Sequence, residues 1–262
     1  RLGPAAPDFD AVNVLPEFTR KAVGYISQCG ADKKPFFLLV TLPSPHTPLV
    51  PTKEWKGKSG LGPYGDYVME TDDSAGQILK AIDAAGLRDN TIAIFASDNG
   101  AAPYAGVDKL AAAGHFVSAQ YRGYKSDIWD GGQRIPFIVR WPGKIEPASR
   151  SRQIVGLFDL FATCADILHA KLPDNAGEDS VSLLPAFLGI DMQPLHADNT
   201  IVNHSGGNGR FAIRQGKWKL ELCPGSGGWG QPGDEAALQE DRPHVVEGKR
   251  VALGGCRIIK KK

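Results

Sequence analysis

The sequence lacks an excess of charge of either sign. Its 30 basic side chains stand against 29 acidic ones, a net charge of +1. A chain so balanced has no electrostatic footprint for nucleic acid or an anionic membrane. Long hydrophobic runs are missing as well, since none approaches the roughly 20 residues of a membrane span. Cysteine is scarce: Cys29, Cys164, Cys223 and Cys256 lie far apart with no CxxC pair, which excludes a CxxC zinc site and a dense disulfide framework. No signal-peptide pattern is present, but the chain opens on Arg1 rather than Met, so that absence says nothing about compartment. No internal repeat is evident. What remains is 262 residues, 42% hydrophobic and 23% charged, the composition of an ordinary globular protein with one large domain or a domain plus a small appendage.

The most informative stretch is Thr91 to Gly100. Ile92 to Ala96 is a short apolar run rich in β-formers, as a strand buried on both faces requires. It ends abruptly in Ser97-Asp98-Asn99-Gly100. A carboxylate and an amide oxygen side by side at the mouth of a core strand suit a hard cation such as Ca²⁺ or Mg²⁺. The same residue types also end strands in ordinary Asx turns.

Three prolines up to Pro16 make residues 1–16 an extended lead-in, and Glu17 to Gln28 has the spacing of a short helix. Phe36 to Leu42 is a second apolar run, expected to be another core strand. It stops at Pro43-Ser44-Pro45-His46-Thr47-Pro48, where the prolines bar further ladder bonds. From Tyr64 to Ala85 apolar residues recur every three or four positions, one face of a long helix, with Gly86 as its C-cap. Strand, helix, strand predicts a right-handed parallel crossover. His46 and Asp98-Asn99 then follow strand ends on one sheet edge, where α/β ligand sites form. Ala101 to Gly132 has no clear period, yet its aromatics argue against disorder; it carries His115, Arg122, Lys125 and Asp127. Ile135 to Trp141 is a third strand candidate, Ile154 to Ala170 a helix and Ser180 to Leu188 a short helix. His169 and His196 are expected at the surface.

After about Asp191 the texture changes. Thr200 to Asn203, Arg210 to Arg214 and Trp218 to Leu222 are short strands separated by glycine, with a hairpin turn at Gln215-Gly216. A further short strand is expected around Val245 to Ala252. The expected fold class is α/β, a mostly parallel sheet sandwiched by helices, occupying residues 1–190. A small antiparallel β appendage fills 191–262.

Several segments together resemble the sulfatase family of the alkaline-phosphatase-like superfamily, over roughly Phe36 to Trp229. They are Lys34-Pro35-Phe36-Phe37-Leu38 with Pro45-His46-Thr47-Pro48; Tyr64-Gly65-Asp66 through Gly76; Ser97-Asp98-Asn99-Gly100; Arg122-Gly123-Tyr124-Lys125 followed by Gly131-Gly132-Gln133-Arg134-Ile135-Pro136; Ser182-Leu183-Leu184-Pro185; and Ile213-Arg214-Gln215-Gly216-Lys217-Trp218-Lys219. The resemblance implies calcium-assisted hydrolysis of sulfate esters, arylsulfatase-like or on a sugar, by a formylglycine nucleophile. It implies that Asp98 and Asn99 ligate Ca²⁺ and that His46 and Lys125 contact the sulfate or its bridging oxygen. His115, Arg122 and His204 become candidates for substrate binding. The expected partner is a small-molecule or carbohydrate sulfate ester, and the expected location is periplasmic or secreted.

Against bulk solvent these side chains also have ordinary uses, Lys125 as a surface charge and His46 as a loop residue satisfied by backbone. The sequence departs from the family pattern in two respects: none of its cysteines begins Cys-x-Pro-x-Arg, and the paired aspartates that complete the family's calcium site are also missing. The chain is therefore expected to be the C-terminal portion of a sulfatase, inactive by itself, with a divergent tail from about Leu238. A phosphate or phosphonate ester hydrolase of the same superfamily and a non-enzymatic anion-binding remnant are the alternatives.

Overall fold

The computed structural model describes residues 6–190, 193–239, 250–252 and 257–259. The chain divides into two compact units, residues 1–95 with 104–115 and 140–142, and residues 96–103 with 116–139 and 143–262.

In the first unit, helix α1 (Val14–Asp32) is four residues longer at its C-terminus than the periodicity predicts and ends at Lys33, whose left-handed backbone stops it. Helix α2 (Gly62–Ala84) matches the predicted long helix, with a proline in its first turn and Gly86 left-handed beyond its end. Ile26 of α1 packs on Ala81 and Ile82 of α2, and Val23, Leu38, Ile78 and Ala93 close around them. The loop carrying His46 is pinned to α2 at two points: Thr71 Oγ1 donates to Ser44 Oγ at 2.7 Å, and Thr52 N donates to Glu70 Oε2 at 2.9 Å.

Two strand expectations change here. Phe36 to Leu42 forms no assigned strand; its backbone is irregular, and Phe37 and Leu39 are 79% and 73% exposed. Leu38 meets the helical core, so within this unit one side of the run is covered and the other is not. Strand β1 (Ala93–Ala96) does form, but Ile94 and Phe95 are 38% and 40% exposed instead of buried. A continuous apolar run tells that both faces repel water; it does not supply the layers that cover them. Within the stretch without period lies a short helix, α3 (Val107–Ala112).

In the second unit, α4 (Asp130–Gln133) is a single turn. Strand β2 (Phe137–Arg140), whose last residue falls in the first unit, forms inside the Ile135 to Trp141 candidate and begins directly after Pro136. Helix α5 (Asp159–Ile167) is shorter than its pattern. The start is set by Asp159, whose Oδ2 accepts the amide of Gly156 at 2.7 Å and so closes a turn where the helix was predicted. The same carboxylate holds His196 Nε2 at 2.9 Å; His196 is buried, not a surface residue, because that anion takes it inside. Helix α6 (Leu184–Phe187) is one turn.

The predicted appendage strands are present as an antiparallel sheet in the order β3 (Thr200–His204), β4 (Phe211–Gln215) and β5 (Trp218–Glu221). The register pairs Ile201 with Arg214 and Arg214 with Lys219. Its buried face carries Ala212 against Ile128 and Trp129, and also the charged Lys219 and Glu221. Helix α7 (Asp234–Gln239) follows. Strands β6 (Arg250–Ala252) and β7 (Arg257–Ile259) pair antiparallel. Only the end of the strand expected at Val245 to Ala252 lies in this range; residues 245–249 are outside the described residues.

Candidate functional site

The site lies in the second unit, where three close backbone approaches stack the Asp98 turn, the Lys125 loop and α4. Gly100 N donates to Gly132 O at 3.0 Å, Lys125 N to Ala101 O at 2.7 Å and Gly131 N to Arg122 O at 2.7 Å. Only glycine permits this. A Cβ on Gly100 would stand 1.8 Å from Gly131 O, and one on Gly131 would stand 2.1 Å from Gly123 O.

Beneath this stack is a buried ion cluster. Asp130 of α4 accepts Lys219 Nζ at 2.8 Å and Arg214 Nη2 at 2.6 Å. Lys219 also donates to Ile128 O at 2.5 Å. Burial alone would raise the Asp130 pKa, but the Lys219 and Arg214 charges outweigh it and hold the carboxyl below its usual value. The cluster ties α4 to β4 and β5. A second carboxylate, Asp127, joins two loops: Oδ2 accepts Tyr124 N at 2.8 Å and Oδ1 accepts Gly230 N at 2.7 Å. Burial raises its pKa against those hydrogen bonds. Gln133 Nε2 donates to Asp127 O at 2.8 Å and His204 O at 3.3 Å, fixing the end of α4 to the end of β3.

The pocket that results is lined by Asp98, Asn99, Lys125, Ser126, Gly132, Gln133, His204, Gly206 and Trp229. Four of the residues singled out in the sequence thus meet: Asp98, Asn99, Lys125 and His204. The turn that carries the first two is held by Ser97 Oγ donating to Asn99 O at 2.9 Å. Among the described residues neither the Asp98 carboxylate nor the Lys125 ammonium has an ion-pair partner. The rings of His204 and Phe211 meet edge to face, centroids 4.8 Å apart.

The other candidates are not among the residues that line this pocket. Arg122 is stacked over the Trp129 ring, 3.7 Å from its centroid, and is not among the pocket-lining residues. Burial lowers its pKa, with Glu221 and Asp127 acting the other way. His46 and His115 belong to the first unit. His46 Nδ1 stands 2.8 Å from Thr47 O; a carbonyl only accepts, so Nδ1 carries a proton and Nε2 is left for a ligand. Its ring and that of Tyr104 meet edge to face, centroids 5.4 Å apart. His115 is exposed.

Sequence reasoning missed Ser126, Gln133 and Trp229 in the pocket and the Asp130–Arg214–Lys219 cluster below it. A signal for the cluster was present: Lys219 and Glu221 alternate with Trp218 and Leu220, so one face of β5 is charged whichever way it points.

Hard oxygen donors at Asp98 and Asn99 fit part of a calcium shell, which takes about 6–8 oxygens. Among the described residues there is no group of three or more His, Cys, Asp or Glu able to hold a metal ion. No helix among them is long and apolar enough to cross a membrane.

Residues 16–170 match the family model described as Sulfatase. The chain is 37% identical over 215 residues to an N-acetylgalactosamine-6-O-sulfatase of Bacteroides thetaiotaomicron, covering 81% of this chain and 40% of that protein. It is 32% identical to the N-acetylgalactosamine-6-sulfatase of Mus musculus, covering 83% of this chain and 40% of that one. A solved structure of a Bacteroides thetaiotaomicron protein of multiple-glycosaminoglycan metabolism superposes with a TM-score of 0.73 at 35% identity, covering 80% of this chain and 43% of that chain. The chain spans about two-fifths of the length of the curated relatives it matches.

Proposed function

The chain belongs to the sulfatase family, and on that premise we propose that its pocket is the anion- and metal-binding part of a site that hydrolyses a sulfate ester. The observation that carries this reading is the meeting of Asp98, Asn99, Lys125 and His204 around one pocket. Carboxylate and ammonium stand there without protein partners among the described residues.

Asp98 and Asn99 would hold Ca²⁺ through their side-chain oxygens, with the rest of the shell from water or from protein outside these residues. When bound, the ion supplies positive charge to sulfate oxygens. Lys125 supplies a second, fixed positive charge to an ester that is anionic throughout and gains charge on its leaving oxygen as the S–O bond breaks. His204, exposed at the pocket, offers a hydrogen-bond donor to the substrate. A contact of His46, a residue of the first unit, with the sulfate or its bridging oxygen belongs to this reading through the family resemblance alone. The nucleophile, a formylglycine in this reading, comes from protein beyond these 262 residues, because no Cys here stands in Cys-x-Pro-x-Arg. The mostly parallel sheet and a periplasmic or secreted location belong to the same reading.

The substrate class favoured is a sulfated sugar. The names of the relatives support it, and so does Trp229, a pocket-lining residue that is 53% exposed and whose indole suits the apolar face of a pyranose. Phosphate or phosphonate esters carry similar charge and are the competing class. The test is turnover in the protein that includes the missing region, with calcium, on N-acetylgalactosamine 6-sulfate and on the matching 6-phosphate. Sulfate ester hydrolysis should fall by about 10²-fold or more in Lys125→Ala. A kcat within a few-fold of the parent, or preference for the phosphate ester, contradicts the assignment.

A further inference from the structure

The Lys125 loop holds a polar group that the function above leaves unused. Ser126 has φ of +78°, a left-handed backbone that favours glycine over a residue with a Cβ. It is only 7% exposed, and its Oγ has no hydrogen-bond partner among the described residues. It also lines the pocket, next to Lys125. A strained backbone and a buried hydroxyl without a partner both cost stability, and glycine at this position would remove both costs. Unsatisfied groups of this kind point to a ligand that the protein alone does not show.

The surroundings narrow the choice of ligand. A Cβ on Gly207 would lie 2.9 Å from Ser126 Oγ and one on Gly206 would lie 3.5 Å away, so the hydroxyl faces a turn without side chains. That turn is exposed, and Gly206 borders the pocket as Ser126 does. Rotation about a single side-chain torsion re-aims the hydroxyl. The ammonium of the preceding residue suits an anionic ligand oxygen beside the hydroxyl, the Asp98 carboxylate of the same pocket being matched by the cation of the proposed function, and a hydroxyl donating to an anion makes one of the stronger hydrogen bonds. We infer that Ser126 is a substrate-contacting residue whose Oγ donates a hydrogen bond to an oxygen of the sulfate group held by Lys125. The inference rests on the sulfate-binding function proposed for the pocket.

The experiment is calorimetric titration of the 262-residue chain with inorganic sulfate in the presence of calcium, for the parent, Lys125→Ala, Ser126→Ala and Ser126→Gly. Thermal melts of each accompany it. Ser126→Ala removes the hydroxyl and keeps the strained Cβ; Ser126→Gly removes both. Sulfate affinity should fall by about tenfold in both serine variants, while Ser126→Gly melts at or above the parent temperature. A residue with only a structural role would show the same gain in Tm with no loss of binding. If Lys125→Ala loses sulfate and both serine variants bind within about twofold of the parent, the role of Ser126 is overturned and the pocket assignment stands. If the parent fails to bind, or if Lys125→Ala binds as the parent does, the pocket assignment fails and the role of Ser126 fails with it.

Discussion

Replacing Asp130 by alanine should be among the most damaging single changes in the second unit, because it leaves a buried cation behind. Lys219 is 1% exposed at its side chain. Among the described residues its ammonium has two protein contacts, Asp130 Oδ1 at 2.8 Å and Ile128 O at 2.5 Å. After the substitution one carbonyl remains, and Arg214, whose side chain is 18% exposed, loses its carboxylate as well. Breaking a buried pair from one side costs about 3–5 kcal/mol. For a protein of this size each kcal/mol moves Tm by about 2–4 °C, so Asp130→Ala should melt about 6–20 °C below the parent. Removing the stranded charge should reverse much of that. The double variant Asp130→Ala with Lys219→Met should melt closer to the parent than Asp130→Ala alone, since apolar replacement of a whole buried pair is often neutral. Calorimetry on the parent, both single variants and the double variant gives the coupling directly. A drop of less than about 2 °C in Asp130→Ala, or additive effects in the double variant, would refute the view that α4 is held by this cluster.

Two other outcomes follow from the same geometry. The folded pKa of Asp130 lies below its usual value because Lys219 and Arg214 outweigh burial, so its contribution to stability is present above the unfolded carboxylate range and is lost as pH falls through the folded value. Urea unfolding should therefore show stability declining below about pH 4, with a shallower decline in Asp130→Asn; equal slopes would contradict the sign. Gly100→Ala would place a Cβ 1.8 Å from a backbone oxygen that cannot swing aside, and should lower the unfolding free energy by about 1–3 kcal/mol or more; a change under about 0.5 kcal/mol would show that the Gly100–Gly131 contact is not so close.

Local signals in the sequence carried the long helix α2, the β3-β4-β5 hairpins and the Asp98-Asn99 turn, because periodicity and glycine placement are decided within a few residues. The strand predicted at Phe36 to Leu42 failed for the opposite reason. Its apolar content is local, but ladder bonding and the cover for Phe37 and Leu39 depend on what packs beside it. The helix predicted from Ile154 starts five residues late because one side chain, Asp159, bonds back to Gly156. At the site, Asp98, Asn99, Lys125 and His204 were legible as residue types at strand ends and loops. Ser126 was not: its significance is a backbone angle and a missing hydrogen bond, neither of which a serine in a loop announces. Arg122, a candidate for substrate binding, is stacked on Trp129, a pairing that two residues seven apart in an irregular loop do not reveal.

The central claim is that the pocket recognises a sulfate group carried on a sugar. The most direct measurement is a titration of this chain, with calcium present, by N-acetylgalactosamine 6-sulfate and by unsulfated N-acetylgalactosamine, in the parent and in Lys125→Ala. The account predicts binding of the sulfated sugar alone, weakened by about tenfold or more when Lys125 is removed. Equal affinity for the two sugars, or sulfate-dependent binding untouched by Lys125→Ala, would contradict it.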